Sequence, residues 1–559
     1  MDSKNVLIAV ILSTLVLVMW ATFFEPPITN QPINENQINQ TQKNDSPSIE
    51  EKKIESKVTR NDAINNVSRI KIENQNIQGS ISLQGGIIDD ILFKNYKEKL
   101  NSENKVIVLN PKNSFKEYFI ETGWASNGDQ KISLPLDNTI WQVKGNNTLR
   151  PNNPVLLEWN NNEGLIFTKK FELDEKFLFK ITQEIKNTSN KSFQFYPYAQ
   201  ITRKGKPEGR QIYILHEGFL GVFGEELKEK DYDDIEKEKF TITASKGWLG
   251  ITDKYWLTAL VPEKEKEFKA EFLSKNGKYK ANYIIKEAKI LNPNNSITNE
   301  IKAFVAAKEV AVIDGYAEKL NIEKFDLSID WGWFYFFTKP LFFVIDYFFK
   351  LTGNFGLAIV IITALIRLIF FPLANYSFKS MAKMKMLQPE MIRLKELHKD
   401  DKVKLQQEMM GLYKREKVNP VSGCLPVLIQ IPFFFAIYKM LYVTLEMRHQ
   451  PFFGWIKDLS DRDPTSVFNL FGLIPWDPPT FLMIGAWPIL MGISMFIQQK
   501  LNPTPPDPIQ AKIFMFFPIF LTIILAPFPS GLVVYWTVNN VLTITQQWII
   551  MRSTKVKTI

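Results

Sequence analysis

Apolar and polar positions change their spacing several times along the chain, which begins with an almost wholly apolar run. Val6–Phe24 spans 19 residues, long enough for a helix to cross a lipid bilayer. A secretory signal peptide would have a shorter apolar part ending in small residues, whereas Trp20 and Phe23 occupy that zone here. The run therefore predicts a retained transmembrane anchor over residues 1–24, with a cleaved signal peptide as the alternative.

A polar segment follows this anchor. Nine of the fifteen residues in Asn30–Asn44 are Asn or Gln. Because such a composition offers too little apolar surface to pack, it predicts a disordered linker over residues 25–61.

The next long segment alternates apolar and polar positions, which is the period of a half-buried strand. The stretch FLFKITQEI puts four apolar side chains on one face: Phe177, Phe179, Ile181 and Ile185. Short strands and turns recur over about 250 residues and predict a β-sandwich over 62–325. Val305–Asn321 predicts a helix that closes this domain.

An aromatic segment at 330–350 comes before the strongly apolar part of the chain. Lys339, Asp346 and Lys350 form a narrow polar stripe on it, as expected for an amphipathic helix lying in the membrane interface. A further spanning helix is the alternative, although the charges and Pro340 weaken it.

Five apolar runs long enough to span a membrane follow, within a core domain at 354–552. They lie at about 355–374, 421–443, 480–499, 512–528 and 531–550. With the anchor, they predict an α-helical polytopic membrane protein of six transmembrane helices that carries a large β-sandwich domain.

Charge predicts the orientation of these spans. The formal net charge is +9, and eleven Lys or Arg against six Asp or Glu fall in Phe378–Val418. The loop 446–479 holds three Lys or Arg against five Asp or Glu, and the short tail 553–559 is basic. Since cytoplasmic segments carry the excess of Lys and Arg, the 378–418 insert and both termini are predicted in the cytoplasm and the β-domain outside.

The cytoplasmic insert predicts a helical hairpin over 377–418, formed by Ser377–His398 and Asp400–Lys417. It is rich in basic residues and methionines, of which these are candidates for client contact: Met381, Lys383, Met384, Lys385, Met409 and Met410. Methionine suits surfaces that meet varied apolar partners. Alternatively, the methionines pack the hairpin's own seam.

One ionisable group interrupts the first of the five spans. Arg367 lies near its middle, and Thr363 precedes it by one helical turn on the same face. In the last span a polar stripe contains Trp536, Asn540, Thr543 and Gln547, and Gln430 adds an amide in the second. A charge in hydrocarbon costs at least about 3 kcal/mol, so these groups predict a shared hydrated interior. Hydrogen bonding between helices is the alternative, which carries at least equal weight for Gln430 or Thr543 alone and little for Arg367.

The composition also limits the chemistry. The single cysteine, Cys424, excludes an internal disulfide, and three scattered histidines exclude a motif-based zinc site. No nucleotide-binding motif is present, and we expect no cofactor.

Three long stretches carry a family resemblance. SMAKMKMLQPEM, EMMGLYKREKVNPVSGCLPVLIQIPFFFAIYKML and FPSGLVVYWTVNNVLTITQQ closely resemble the bacterial YidC family of membrane protein insertases, which has mitochondrial and chloroplast relatives. The match runs through nearly all of 330–552. Upstream, GWLGITDKYWLTALVP resembles the periplasmic domain of Gram-negative members.

The resemblance implies that the five later spans enclose a hydrophilic groove, open to the cytoplasm and lipid and closed toward the periplasm. Its substrate-binding residues would be Arg367, Thr363, Gln430, Tyr535, Trp536, Asn540 and Thr543. A hydrophobic slide for the client's transmembrane segment would contain Pro432, Phe433, Phe516 and Ile519. Close relatives often have a Tyr-Tyr pair where this chain has Tyr535-Trp536, so one phenolic hydroxyl is lost.

The resemblance also implies the partners and the location. The protein would lie in the bacterial inner membrane, receive nascent membrane proteins from the ribosome through the hairpin, and work alone or with the Sec translocon (SecYEG and SecDF). The lipid bilayer is a further partner, and the resemblance implies no small-molecule substrate.

We therefore predict a non-enzymatic insertase and chaperone. A membrane transporter with an anion site at Arg367 is the alternative, but it usually has internal repeats, and none is evident. An enzyme in the β-domain is a weaker alternative, because His216 is that domain's only histidine and lies in no recognisable motif.

Overall fold

The computed structural model describes residues 58–126, 132–207, 215–399, 401–419, 425–476, 478–479, 482–502 and 508–556. These residues fall into two compact units that divide between Ile329 and Asp330. The predicted anchor, the predicted linker up to residue 57 and the last three residues of the predicted tail lie outside the described residues.

The first unit consists mainly of β-strands. In chain order, its described strands are β1 (Arg69–Glu73), β2 (Ile77–Ser82), β3 (Ile87–Lys97), β4 (Lys105–Leu109), β5 (Tyr118–Ser126), β6 (Gln142–Lys144), β7 (Thr148–Leu149), β8 (Val155–Asn160), β9 (Leu165–Leu173), β10 (Leu178–Asn187), β11 (Phe193–Lys204), β12 (Gly218–Phe223), β13 (Glu226–Asp231), β14 (Phe240–Ala244), β15 (Gly247–Thr252), β16 (Trp256–Val261), β17 (Phe268–Lys275), β18 (Lys278–Ile285), β19 (Lys289–Leu291) and β20 (Ser296–Ala307).

These strands form two sheets. The first has the order β14-β17-β18-β11-β5-β3-β2-β1-β7, with β19 paired to β11 and β4 to β3. The second has the order β13-β12-β15-β16-β20-β10-β9-β8-β6. Among the described pairs, β1 with β7 is parallel and the others are antiparallel. The predicted β-sandwich is confirmed.

Alternating apolar side chains build the core between the sheets. The four predicted inward positions are buried: Phe177, Phe179, Ile181 and Ile185. Aromatic rings join the two sheets, since Phe219 of β12 stacks on Phe272 of β17 with 5.1 Å between ring centroids. Both sheets therefore bury one apolar face against the other.

Three short helices accompany the strands: α1 (Arg60–Asn65), α2 (Tyr232–Lys237) and α3 (Val310–Lys319). The predicted helix at 305–321 was too long at its start, because Val305–Ala307 is the end of β20. Those residues pair with β16, Val305 opposite Thr258. Sheet pairing therefore overrides the helical preference of the alanines.

The second unit is helical. In chain order, its described helices are α4 (Tyr335–Thr352), α5 (Phe355–Ile369), α6 (Phe371–Met386), α7 (Gln388–Leu397), α8 (Lys402–Arg415), α9 (Leu425–Val443), α10 (Ala486–Leu501), α11 (Pro508–Leu525) and α12 (Ser530–Val556). Within α4, Lys350 pairs with Asp346 at 2.7 Å, one turn apart.

No described helix has, by itself, both the length and the apolar composition needed to cross a membrane. The consecutive helices α5 and α6 meet those criteria together, but the chain bends by 68° between them. Gln430–Val443 and Ala511–Leu525 are shorter apolar segments. The number of crossings stays a prediction.

The bend corrects the predicted continuous span at 355–374. Pro372 lies in the first turn of α6, where its missing N–H is tolerated. The same ring would clash with a carbonyl of a helix running straight through, so α5 ends at Ile369. Pro389 likewise begins α7, so the predicted Ser377–His398 helix is two helices.

Candidate functional site

A polar pocket lies among four helices of the second unit. The space between these helices is partly open to solvent and amounts to about 500 Å³ with that open part included. Residues from α5, α6, α9 and α12, with Phe370 between α5 and α6, line it: Thr363, Ile366, Arg367, Phe370, Leu373, Ala374, Gln430, Phe433, Tyr535 and Asn539.

The end of α5 places Arg367 in this pocket. Thr363 is buried on α5 and donates its hydroxyl to the Ile359 carbonyl oxygen at 2.6 Å. Arg367 follows it by one turn on the same face. Because α5 ends at Ile369, Arg367 lies in its last turn, where unpaired carbonyl groups carry partial negative charge and favour a cation.

Two neutral amides hold the Arg367 guanidinium. Its Nε and Nη2 donate to Asn539 Oδ1 at 2.8 and 2.6 Å. Its Nη2 also donates to Gln430 Oε1 at 3.0 Å. Since Asn539 lies on α12 and Gln430 on α9, these bonds fix the guanidinium between two helices.

Arg367 is not neutralised within the pocket. Among the described residues it forms no salt bridge, and its Nη1 has no hydrogen-bond partner. Lys439, on the same helix as Gln430, provides a contrast, because it pairs with Asp330 at 2.6 Å. Arg367 is half-buried, and a cation partly withdrawn from water without a carboxylate is costly unless another anion reaches it. The pocket can therefore accept an anionic group.

The predicted polar stripe on α12 faces elsewhere, which corrects the sequence analysis. Asn540 donates to Ser494 Oγ of α10 at 2.9 Å, and Gln547 donates to Asn502 Oδ1 at 3.0 Å. Trp536 packs against the apolar cluster that contains Met491 of α10. These polar groups hold α12 against α10.

Asn539 takes the position that the sequence analysis gave to Asn540. One residue rotates a helix by about 100°, so Tyr535 and Asn539 share one face while Trp536 and Asn540 share the next. Thr543 lies one turn after Asn539 on the same helix, and its Oγ1 donates to the Asn539 carbonyl oxygen at 2.6 Å. The only sequence signal for Asn539 was its spacing of four residues from Tyr535.

The predicted slide residues divide between the pocket and the exposed surface. Phe433 lines the pocket, and its ring lies 5.6 Å from that of Phe370. Pro432 precedes it on α9 and is half-buried. On α11, Phe516 and Ile519 are each 59% exposed. Much of the described surface of α11 is likewise apolar and exposed, as expected for a helix that meets lipid or an apolar client.

The hairpin residues have mixed environments. Met381 is buried against Ala374, Phe378 and Ile550, so it packs within the second unit rather than facing a client. Lys385 donates to the carbonyl oxygen of Lys500 at 3.4 Å, near the end of α10. In contrast, Lys383 and Met410 are exposed, and Met384 and Met409 are half-buried.

Part of the hairpin packs on itself. Tyr413 of α8 reaches Met391 Sδ of α7 at 3.9 Å. Met391 therefore packs within the hairpin, whereas client contact by the exposed methionines stays a prediction.

Two family models match the chain. One, described as "60Kd inner membrane protein", matches residues 347–557, and the other, "YidC periplasmic domain", matches 69–344. "Membrane protein insertase YidC" of Pelagibacter ubique (strain HTCC1062) is 58% identical over 559 residues, which cover 100% of both chains. The chain belongs to the YidC family. The protein of the same name from Methylorubrum extorquens (strain PA1) is 47% identical over 517 residues, 89% of this chain and 83% of that one.

Solved structures also resemble the chain. An active YidC insertase crystal structure covers 85% of this chain and 91% of its own, with TM-score 0.36 and 17% identity. A galactose mutarotase related enzyme from Lactobacillus acidophilus covers 43% of this chain and 98% of its own, with TM-score 0.31 and 10% identity.

Membership of the YidC family confirms the resemblance found in the sequence. It places the chain in the inner membrane, with a periplasmic domain that corresponds to the first unit. The YidC relatives are named as insertases of membrane proteins and not as enzymes.

Proposed function

We propose that this chain moves transmembrane segments of nascent membrane proteins into the inner membrane through a hydrophilic groove centred on Arg367. The observation that supports this proposal is a guanidinium held by two neutral amides. Its Nη1 has no partner among the described residues, and Arg367 is one of the residues that line a pocket among four helices.

The groove lowers the cost of moving an acidic tail across the bilayer. At about 4 Å and an effective dielectric constant of about 20, one ion pair with Arg367 contributes roughly 4 kcal/mol before desolvation. This is comparable with the low estimate of about 3 kcal/mol for burying a charge in a membrane. A membrane potential that is positive outside then adds about 2.3 kcal/mol per charge per 100 mV.

The apolar helices provide the exit to lipid. We propose that the client's transmembrane segment leaves along α9 and α11, past Phe433, Phe516 and Ile519. The exposed rings of α11 support this proposal, because they offer an apolar surface that adapts to varied segments.

The hairpin at 377–418 receives clients from the ribosome, with both termini in the cytoplasm. The exposed Lys383 and Met410 support this role, whereas Met381 does not contribute to it. The chain works alone on small clients and with the Sec translocon on larger ones.

Reconstitution tests this function. Purified protein in liposomes should convert a small client with an acidic tail to a form whose tail is protected from external protease, and protein-free liposomes should not. Equal protection in both preparations would contradict the proposal. Protein-dependent release of a trapped small carboxylate, without client protection, would instead support the transporter alternative.

A further inference from the structure

The hydrogen bonds of Arg367 determine how an anion can approach it. We propose that Asn539 is a specificity-determining residue that limits Arg367 to a single-nitrogen contact with a client carboxylate. This inference rests on the proposed function. It concerns how firmly the groove holds an acidic tail, and therefore how readily the tail is released.

The guanidinium has five N–H groups, one on Nε and two on each of Nη1 and Nη2. Nε–H and one Nη2–H converge on Asn539 Oδ1 at 2.8 and 2.6 Å. The other Nη2–H is directed to Gln430 Oε1 at 3.0 Å. Only the two hydrogens on Nη1 lack a partner among the described residues.

A carboxylate binds arginine most tightly through two parallel bonds to two adjacent nitrogens. Asn539 fills the fork between Nε and Nη2, and Gln430 takes the Nη2 side of the fork between Nη1 and Nη2. A client carboxylate therefore meets Nη1 alone unless it displaces an amide. The charge attraction persists, but the second bond that would slow release is absent.

The position of Asn539 is fixed by its own helix. Its side chain is buried, and its carbonyl oxygen accepts the Thr543 hydroxyl at 2.6 Å. Because arginine can only donate, the Asn539 amide must present its oxygen. Asn540 has the same side chain but is bonded to Ser494 of α10. The two neighbouring residues thus form a matched pair, of which one touches the guanidinium.

The test measures how long a client's tail stays close to the groove. Full-length protein in liposomes receives a photo-crosslinkable client with an acidic tail, or the same client with amides in place of the acids. Asn539→Ala should lengthen retention of the acidic tail about tenfold, since one additional charge-assisted bond becomes available. It should leave the neutral tail unchanged.

Two further variants sharpen the result. Asn539→Asp should neutralise Arg367 and lower crosslinking of the acidic tail to the level seen with Arg367→Ala. Asn540→Ala should leave the ratio of acidic to neutral retention at its wild-type value. Protein abundance in the membrane is measured for each variant.

Three results would overturn the inference. Asn539→Ala could shorten retention of the acidic tail, or it could lengthen retention of the acidic and neutral tails equally. Asn540→Ala could lengthen retention of the acidic tail as much as Asn539→Ala does. If Arg367→Ala leaves engagement of the acidic tail intact, the proposed function itself fails. If Arg367→Ala abolishes that engagement while neither Asn539 variant alters it, only this inference fails.

Discussion

Lys169 of β9 should make the stability of the first unit depend on alkaline pH. The residue is only 4% exposed. Its ammonium donates to the carbonyl oxygens of Gly85, Gly86 and Thr122 at 3.3, 3.2 and 2.8 Å. It also lies 4.9 Å from the centre of the Trp141 ring. Burial lowers its pKa from 10.5 to about 8.

The sign of the effect follows from proton binding. Between about pH 8 and 10.5 the unfolded chain holds a proton on Lys169 that the folded chain has lost, so stability rises with pH. The total rise is roughly 3 kcal/mol, and below that window both states are protonated and the contribution is constant. Lys169→Met should remove this rise, whatever it does to the stability at neutral pH.

Denaturant unfolding of the full-length protein in detergent, followed by tryptophan fluorescence, measures the difference between wild type and variant. That difference should change by roughly 3 kcal/mol between pH 8 and 10.5. The neighbouring Lys170→Met, whose side chain is 44% exposed, is the control and should follow the wild type. Parallel curves for wild type and Lys169→Met would refute the reasoning.

Two other predictions concern topology and helix packing. A reporter active only in the periplasm should work when fused near Asn160 and fail near Asp400, and activity at Asp400 would overturn the orientation. Gly492→Ala should destabilise the protein by about 1–3 kcal/mol, because the added Cβ would lie 2.2 Å from Thr522 Oγ1. Gly411→Ala is the control, because its Cβ would meet nothing within 4 Å, and it should stabilise the protein by up to about 1 kcal/mol. Thermal unfolding measures both variants. A Gly492→Ala protein more stable than Gly411→Ala would contradict the packing of α10 on α11.

The β-sandwich could be predicted from sequence because its signal is local. Alternation with period two fixes which side chains point inward, and Phe179 and Ile181 are buried accordingly. The end of β20 could not be predicted, because Val305–Ala307 is extended through its pairing with β16, about 50 residues earlier in the chain.

The ends and faces of the helices in the second unit were harder to predict where the composition is uniformly apolar. Apolar residues continue across Phe370, so the pattern concealed the bend that Pro372 causes. Arg367 could be singled out as a charge in an apolar run. Its partner Asn539 could not, because one residue rotates a helix by about 100° and only packing shows which face meets the arginine.

Which methionines are exposed could not be predicted from the sequence either. Met381 and Met410 both lie in the predicted cytoplasmic hairpin, and both were candidates for client contact. Yet Met381 is buried against Ile550, a residue about 170 positions away, whereas Met410 is 48% exposed. Contacts between distant segments decide such cases.

The most direct test of the docking role of Arg367 compares client insertion across three variants and two client tails. Wild type, Arg367→Lys, Arg367→Ala and Arg367→Glu are reconstituted, and insertion of one acidic-tailed and one neutral-tailed client is measured together with protein abundance. Lys keeps the charge and should retain most activity, Ala should block the acidic client alone, and Glu should be worse than Ala for that client. Equal loss of both clients in all three variants, in proportion to reduced abundance, would show that Arg367 only holds the helices together and would contradict the account.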